Sequence, residues 1–287
     1  MGRITRKVDS AAGSSPTYDS AYDPDGWLIE VKRDGAQIER YTYDPNGNRT
    51  GTLDGAASYD QQDRLVSYAG VNYQFDDDGY LTKRGSDTFQ YSARGELLAA
   101  TVGGQQVTYA YDGMWRRVGR TDSAGTYQYL YGNPAVSFLV TAIRDPSGAL
   151  SEYYYDDVGH LFAFERSDTW YYVATDQVGT PRVVTDASGT VVQTLVYDSY
   201  GRLLADSAPG FDLPIGFAGG LADPLTGLVR FGLRDYDSVA GRWTARDPIL
   251  FAGPQTNLYA YAGNNPAGLR DPTGLWCIGG GIGAGVY

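Results

Sequence analysis

Cysteine and histidine are nearly missing from this sequence of 287 residues, which contains one of each, Cys277 and His160. A single cysteine cannot form a disulfide within the chain. A single histidine excludes a histidine-rich metal site, and we expect neither a metal ion nor a cofactor. Cys277 and His160 are the one pair from which cysteine–histidine catalysis could be built. We expect instead an inert thiol and a packing histidine.

Positive charge and long apolar runs are also scarce. Lys and Arg number 23 against 34 Asp and Glu, which gives a formal net charge of −11. Nucleic acid is therefore not an expected partner, because no basic surface could neutralise many phosphates. The sequence has no unbroken apolar run of the length that spans a membrane. Residues 1–7, MGRITRK, lack the apolar region of a signal peptide.

Glycine and tyrosine are abundant. The chain has 38 Gly and 25 Tyr, against only 9 Phe, and 42% of its residues are hydrophobic. Tyrosine suits strands that have one apolar face and one wet edge. Glycine, together with Asp and Asn, suits tight turns. This composition predicts an all-β protein with a packed core and frequent turns.

A short motif, Tyr-Asp-x-x-Gly followed by x-Leu, recurs along the chain. Its copies and near-copies begin at Tyr22, Tyr43, Tyr59, Phe75, Tyr91, Tyr111, Tyr155 and Tyr197. We expect the aspartate to accept hydrogen bonds from the turn that follows it, and the glycine to adopt a positive φ. Each copy is then one antiparallel β-hairpin, too small to bury a face alone. Consecutive hairpins stack into a continuous curved or spiral β-sheet.

The stretch from 242 to 276 differs from the repeats. It contains two triplets, Arg246-Asp247-Pro248 and Arg270-Asp271-Pro272, whose aspartates lie 24 positions apart. Between them, residues 257–266 read NLYAYAGNNP, an alternating pattern that ends in turn residues. This layout predicts a strand closed by a turn, with one acidic turn at each end. Such a path could bring the two carboxylates together.

Two carboxylates held close together share one proton, which is the arrangement of an aspartyl protease. Asp271 lies four residues before Leu275, after which the chain becomes uncharged and rich in glycine. The alternative is that each Asp-Pro simply starts a turn. We expect only a turn at Asp223, where residues 223–228 read DPLTGL and nearly repeat DPTGL at 271–275. Spacing alone favours the turn.

These motifs resemble the RHS (rearrangement hotspot) proteins. The similar stretches are GRW and RDP within 241–248, NLYAYAGNNP at 257–266, DPTGL at 271–275, and the YD repeats over nearly all of 18–275. Teneurins and the C components of insecticidal toxin complexes are related to the same pattern. The resemblance implies a strip of hairpins that forms part of the cocoon-shaped shell of a polymorphic toxin. It also implies a closing core that acts as an aspartyl autoprotease.

Matched position by position, the resemblance implies that Asp247 and Asp271 are catalytic and that the bond between Leu275 and Trp276 is cut. It places a catalytic cation at Arg246, with Arg270 in support. Some insecticidal toxin relatives carry a lysine two residues after the first aspartate. This chain has Ile249 there, so the role of that lysine is absent or taken over by one of the two arginines.

We therefore expect four segments without a clear linker: a loose N-terminal segment 1–17, a YD-repeat sheet 18–170, an RHS core with the autoprotease 171–275, and the start of a released segment 276–287. The implied partners are a C-terminal toxin segment as cargo and another copy of the chain at exposed sheet edges. The implied location is outside the cell or at its surface, within a larger effector. The alternative, which the resemblance to teneurins allows, is a non-enzymatic adhesion or glycan-binding module.

Overall fold

The computed structural model describes residues 3–9, 15–253 and 255–279. Strand makes up 48% of the structure and helix 4%, so the prediction of an all-β protein is confirmed. The helical residues of the described part lie in short 3-10 turns, Pro134–Val136, Phe217–Gly219, Leu250–Ala252 and Ala262–Asn264. No helix in the described ranges is long and apolar enough to cross a membrane.

The first strands form two small antiparallel sheets. One contains β1 (Arg6–Val8), β2 (Thr17–Tyr22), β3 (Leu28–Arg33) and β4 (Ala36–Arg40), and the other contains β5 (Thr42–Tyr43) and β6 (Arg49–Gly51). The sequence predicts that the segment 1–17 is loose, but residues Arg6–Val8 of this segment form a strand. Strand β1 pairs with β2, and the ammonium group of Lys7 lies 5.0 Å from the ring centre of Tyr18. Main-chain pairing and this cation–π contact hold the strand in place.

The main body is a sheet of 16 strands in which each strand pairs antiparallel with its neighbours in sequence. Its strands are β7 (Ala57–Tyr59), β8 (Leu65–Tyr68), β9 (Val71–Phe75), β10 (Leu81–Arg84), β11 (Asp87–Tyr91), β12 (Leu97–Val102), β13 (Gln105–Tyr111), β14 (Arg117–Asp122), β15 (Gly125–Leu130), β16 (Ala142–Arg144), β17 (Leu150–Tyr155), β18 (Leu161–Arg166), β19 (Thr169–Thr175), β20 (Pro181–Asp186), β21 (Val191–Tyr197) and β22 (Leu203–Asp206). The predicted succession of hairpins is confirmed. The sheet continues past residue 170, where we expect the RHS core to begin, and its hairpin pairing ends at Asp206.

The YD turns have the expected hydrogen bonds. In one of them, Asp112 Oδ1 accepts the backbone N–H groups of Met114 at 2.9 Å and Arg116 at 3.0 Å. The motif tyrosine reaches back across the sheet, because the hydroxyl of Tyr111 donates to the carbonyl oxygen of Leu97 at 2.9 Å. Phenylalanine could not make this bond, which explains why tyrosine predominates.

The strip of hairpins curls until its two ends meet. The hydroxyl groups of Tyr43 and Tyr200 lie 2.7 Å apart. The backbone N–H of Ser199 donates to both carboxylate oxygens of Glu39, at 3.1 and 3.2 Å. We call this meeting of residues 39–54 with residues 198–202 the seam. It shows that the sheet is strongly curved and not a flat ribbon.

The chain after Asp206 fills the inside of the curled sheet. It forms β23 (Leu221–Ala222), β24 (Leu228–Phe231), β25 (Arg234–Asp237) and β26 (Arg242–Trp243), then the short pair β27 (Leu269–Arg270) and β28 (Ile278–Gly279). We call residues 207–279 the inner segment. Every residue of β24, β25 and β26 is buried. An aromatic cluster fixes these strands, and it consists of Phe217, Phe231, Tyr236, Trp243 and Tyr261.

Buried ion pairs join the inner segment to the surrounding sheet. Arg117 contacts Asp235 at 2.7 Å, and Arg120 contacts Asp223 at 2.8 Å. Asp223 also accepts a hydrogen bond from the hydroxyl of Tyr109 at 2.8 Å. The turn at Asp223 therefore has a structural role, as we expect for this Asp-Pro motif. Removing one partner from such a buried pair typically costs about 3–5 kcal/mol.

Candidate aspartyl site

Asp247 follows β26 on a turn that lies against the rim of the large sheet. Its backbone N–H donates to the carbonyl oxygen of Leu258 at 3.1 Å, and its Oδ1 accepts the N–H of Ile249 at 3.0 Å. Its side chain is 14% exposed. The turn therefore leaves the second carboxylate oxygen, Oδ2, facing Arg234.

The segment between the two Arg-Asp-Pro triplets is not the strand that the sequence predicts. Ala260 forms only an isolated bridge with Arg242, and Ala262–Asn264 is a 3-10 turn. Inside that turn Gly263 has a φ of +56°. The alternating sequence pattern around Tyr259 and Tyr261 therefore does not correspond to a paired strand. Both rings are buried in an irregular loop that is packed between the rim and the aromatic cluster.

Asp271 closes a tight loop around the bond expected to be cut. Its Oδ1 accepts the backbone N–H of Leu275 at 3.0 Å and that of Trp276 at 3.1 Å. Its side chain is 2% exposed. The loop is held from both sides, because β27 pairs with β28, with Arg270 opposite Ile278. The Leu275–Trp276 bond therefore lies in the connection of a short hairpin, next to a buried carboxylate.

One guanidinium group joins the two aspartates. Nη2 of Arg234 lies 2.9 Å from Oδ2 of Asp247 and 3.4 Å from Oδ2 of Asp271. Its Nε donates to the carbonyl oxygen of Gly274 at 2.5 Å, and the group stacks over Trp243 at 4.1 Å. Burial lowers the pKa of this arginine. The predicted proximity of Asp247 and Asp271 is therefore present, mediated by a residue that sequence reasoning missed.

The two arginines expected near the aspartates lie elsewhere. The guanidinium of Arg246 is half-exposed and lies 3.7 Å from Asp78. Arg270 donates to the carbonyl oxygen of Val158, in a different YD turn. Each side chain leaves its triplet in a direction that sequence spacing does not specify. Arg234 occupies the position that we expect for Arg246 or Arg270. It precedes Asp235 but belongs to no Arg-Asp-Pro triplet, so the triplet motif does not identify it.

A small cavity connects the aspartates to the loop. It has a volume of about 10 Å³ and is lined by Arg234, Asp247, Asp271, Leu275 and Cys277, among other residues. This volume is about what one water molecule needs. Burial raises the pKa of the Cys277 thiol to about 12. That thiol is therefore protonated at neutral pH and is not a nucleophile.

The surroundings of Asp247 shift its pKa. Burial raises the pKa of Asp247 above its ordinary value, and the nearby charge of Asp271 adds to the effect, while Arg234 opposes it. One proton held between two close carboxylates is the charge state that aspartyl proteolysis requires. His160 lies against Gly179 in another YD turn, and burial, together with the charge of Arg270, lowers its pKa.

The chain is similar to several curated proteins along almost all of its length. The family model "Teneurin YD-shell" matches residues 1–267. Teneurin-4 of Mus musculus is 37% identical over 285 residues, and this match covers 93% of the chain and 10% of that protein. Teneurin-1 of Gallus gallus is 39% identical over 267 residues, covering 88% of the chain and 10% of that protein. The chain thus spans about a tenth of the length of these relatives.

Solved structures share the fold. The crystal structure of TcdB2-TccC3-TEV matches with a TM-score of 0.63 at 17% identity. The match covers 94% of the present chain and 17% of the chain in that structure. The structure of the Photorhabdus luminescens Tc holotoxin pore matches with a TM-score of 0.64 at 17% identity. This match covers 95% of the present chain and 17% of the chain in that structure. These likenesses concern the fold alone. From the family model and the teneurin identities, the chain belongs to the Teneurin YD-shell family.

Proposed function

We propose that this chain is part of an RHS-type toxin shell and that Asp247 and Asp271 hydrolyse its own Leu275–Trp276 bond. One observation carries the proposal. The carboxylate of Asp271 accepts the N–H of Trp276, which is the nitrogen that would leave, at 3.1 Å. The turn at Asp223, by contrast, accepts the N–H groups two and three residues ahead and uses its other oxygen for Arg120.

The reaction follows the logic of paired carboxylates. Asp271, ionised, takes a proton from a water molecule in the cavity, and the oxygen attacks the carbonyl carbon of Leu275. Asp247, protonated, donates its proton to the carbonyl oxygen. The tetrahedral intermediate then collapses: its C–N bond breaks as Asp271 passes its proton to the nitrogen of Trp276, and one hydroxyl of the diol returns a proton to Asp247. The products are a free amine on Trp276 and a carboxylic acid on Leu275, which releases its proton to solvent and becomes a carboxylate.

Arg234 organises this charge without taking part in proton transfer. Its contacts with both carboxylates and with the carbonyl oxygen of Gly274 hold the loop at the aspartates. Positioning a bond next to its catalytic groups supplies a large proximity advantage over cleavage in trans. The protease would therefore act once, in cis, because its substrate is its own next peptide bond.

The released segment begins at Trp276 and would be the cargo. In an RHS-type toxin the cargo is a C-terminal toxin segment, delivered from a larger effector that is exported or displayed at the cell surface. Within this proposal, the aspartates separate cargo from shell while the curled sheet stays intact. The buried ion pairs between the inner segment and the sheet support this division of roles.

Intact mass of the purified chain tests the proposal. The wild type is expected to break after Leu275, and Asp247→Asn and Asp271→Asn are expected to remain whole, because an amide cannot serve as acid or base. Asp145→Asn is the matched control. Asp145 also begins an Asp-Pro turn, with its Oδ1 on the N–H groups of Ser147 and Ala149, and it lies in another hairpin. It should be cut like the wild type.

An uncut, folded wild type would contradict autoproteolysis, as would equal cutting of both Asn variants. The function left would be the non-enzymatic one, an adhesion or glycan-binding module of YD repeats. The higher identity to teneurins than to the toxin structures, 37% against 17%, is the observation that favours it. In that function Asp271 would serve only to cap the loop that ends at Leu275.

A further inference from the structure

A group of aromatic side chains lies on the outer face of the large sheet, across β17, β18 and β19. It consists of Tyr154, Phe162, Trp170 and Tyr172, and we call it the aromatic patch. The pairing register assigns the face of Tyr154, Trp170 and Tyr172, whereas Phe162 falls in a bulge outside the register and is placed by its exposure. Tyr153, Phe164 and Tyr171 stand opposite one another in the core, whereas Tyr154 and Tyr172 both stand opposite Ala163 on the other side.

The patch is exposed. Phe162 and Tyr172 are each 48% exposed, and Trp170 is 38% exposed. Elsewhere the outer face of the sheet mixes polar side chains such as Thr108 and Gln128 with single exposed aliphatic ones such as Leu98, Leu130 and Val196. The patch differs from these because it groups exposed aromatic rings, two of which stack, and exposed aromatic groups of this kind are typical of a binding surface.

Two glutamates border the aromatic patch. Glu152 stands directly opposite Glu165 in the pairing of β17 with β18, and Glu165 stands opposite Trp170 in the pairing of β18 with β19. Like charges in directly opposite positions destabilise a sheet. Arg144 stands opposite Leu150 and not opposite either glutamate. The ion pairs made by glutamates in the described residues involve Glu30 and Glu96.

The chemistry of the patch fits a guanidinium group. The rings of Tyr154 and Trp170 stack with centres 4.9 Å apart and an angle of 27° between their planes. A guanidinium stacks on such a ring and donates to neighbouring carboxylates at the same time. It would also relieve the repulsion between Glu152 and Glu165. We infer that the aromatic patch binds an arginine-bearing basic segment of a partner protein.

The charge of the molecule supports this choice of partner. A net charge of −11 attracts a basic chain and speeds its approach. A second copy of this chain fits less well. In a symmetric contact each patch would face itself and would bring four glutamate carboxylates together. The partner is therefore a basic protein segment.

A fluorescein-labelled hexa-arginine peptide, added to the whole chain at about 150 mM salt, tests the inference by fluorescence anisotropy. The wild type is expected to bind. Trp170→Ala and the double variant Glu152→Gln/Glu165→Gln are each expected to weaken binding by about tenfold. The glutamine variants keep the size of the side chains, and thermal unfolding identifies any variant that fails to fold.

Two control variants separate the patch from the general negative charge. Asp77→Asn/Asp78→Asn removes two charges from an exposed turn, and Phe251→Ala removes an aromatic ring that is 72% exposed. Both controls should bind like the wild type. The inference fails if the wild type does not bind, if the patch variants bind normally, or if the charge control loses as much affinity. It also fails if light scattering shows that Trp170→Ala abolishes a dimer instead.

Discussion

Gly79 and Tyr259 touch where the rim of the sheet meets the inner segment. The hydroxyl of Tyr259 donates to the carbonyl oxygen of Gly79 at 3.0 Å, and a Cβ on Gly79 would lie 2.5 Å from that hydroxyl. Gly201 is similar, because a Cβ there would lie 2.2 Å from the ring of Phe217. These two glycines at the rim of the sheet thus allow the positive φ of their turns and also leave room for the inner segment to pack against the rim.

We expect Gly79→Ala to destabilise the protein more than Gly35→Ala. The two glycines have nearly equal φ angles, +81° and +84°, but a Cβ on Gly35 meets nothing within 4 Å. Both changes carry the backbone cost of roughly 1 kcal/mol for an alanine at positive φ. The difference in free energy of unfolding, measured in urea, isolates the contact with Tyr259. Equal losses would mean that the rim needs glycine for the turn alone.

Arg234→Lys is expected to slow self-cleavage by more than about tenfold, whereas Arg246→Lys should leave it close to the wild-type rate. A lysine keeps the charge but cannot contact two carboxylates and the carbonyl oxygen of Gly274 together. The guanidinium of Arg246 pairs with Asp78 on the exposed surface, and such a pair contributes little. Intact mass during refolding gives both rates. Equal rates for the two variants would remove Arg234 from the mechanism.

Self-cleavage should slow as pH rises through the pKa of Asp247. Burial raises the pKa of Asp247 above the ordinary value of about 3.9, and the proposed acid must carry a proton. The stability of the fold should change in the same direction as the cleavage rate. A carboxyl group whose pKa is higher in the folded than in the unfolded chain stabilises the fold at low pH, and this contribution is lost as pH rises through the folded-state pKa. Refolding at several pH values, followed by intact mass, measures the rate. An increase with pH would exclude Asp247 as the acid.

The seam should weaken with rising pH. Burial and the neighbouring charge of Glu39 raise the pKa of Asp198 to about 7. The folded chain then holds a proton that the unfolded chain releases, so the stabilising contribution of Asp198 is lost as pH rises through about 7. Glu39→Gln removes one charge and should flatten the change in Tm between pH 6 and 8. Asp77→Asn, in an exposed turn, is the control, and an unchanged slope in Glu39→Gln would contradict the coupling.

Local chemistry explains what could be predicted of the fold. Each YD unit carries its own turn residues and its own return strand, so hairpins such as β13–β14 follow from short-range hydrogen bonds at Asp112 and Tyr111. The proximity of Asp247 and Asp271 was also predicted, through the resemblance to RHS proteins. Their catalytic role stays a prediction until cleavage is measured.

Other features could not be predicted because they depend on contacts between distant parts of the chain. Residues 257–266 alternate like a strand, yet neighbours on both sides bury Tyr259 and Tyr261 in an irregular loop. The hairpin pairing also runs through β19–β22, across the expected start of the RHS core at 171. Neither pairing nor burial between distant segments is visible in a local pattern.

The sequence by itself determined the all-β class, the order of the hairpins and the turn at each YD motif, because these depend on residues a few positions apart. Only the tertiary structure decided that the strip closes at the seam, that the inner segment fills it, and that Arg234 joins the two aspartates. Arg234 lies 13 positions before Asp247 and 37 before Asp271. Chain curvature and burial bring these charges together, and neither is encoded in any short motif.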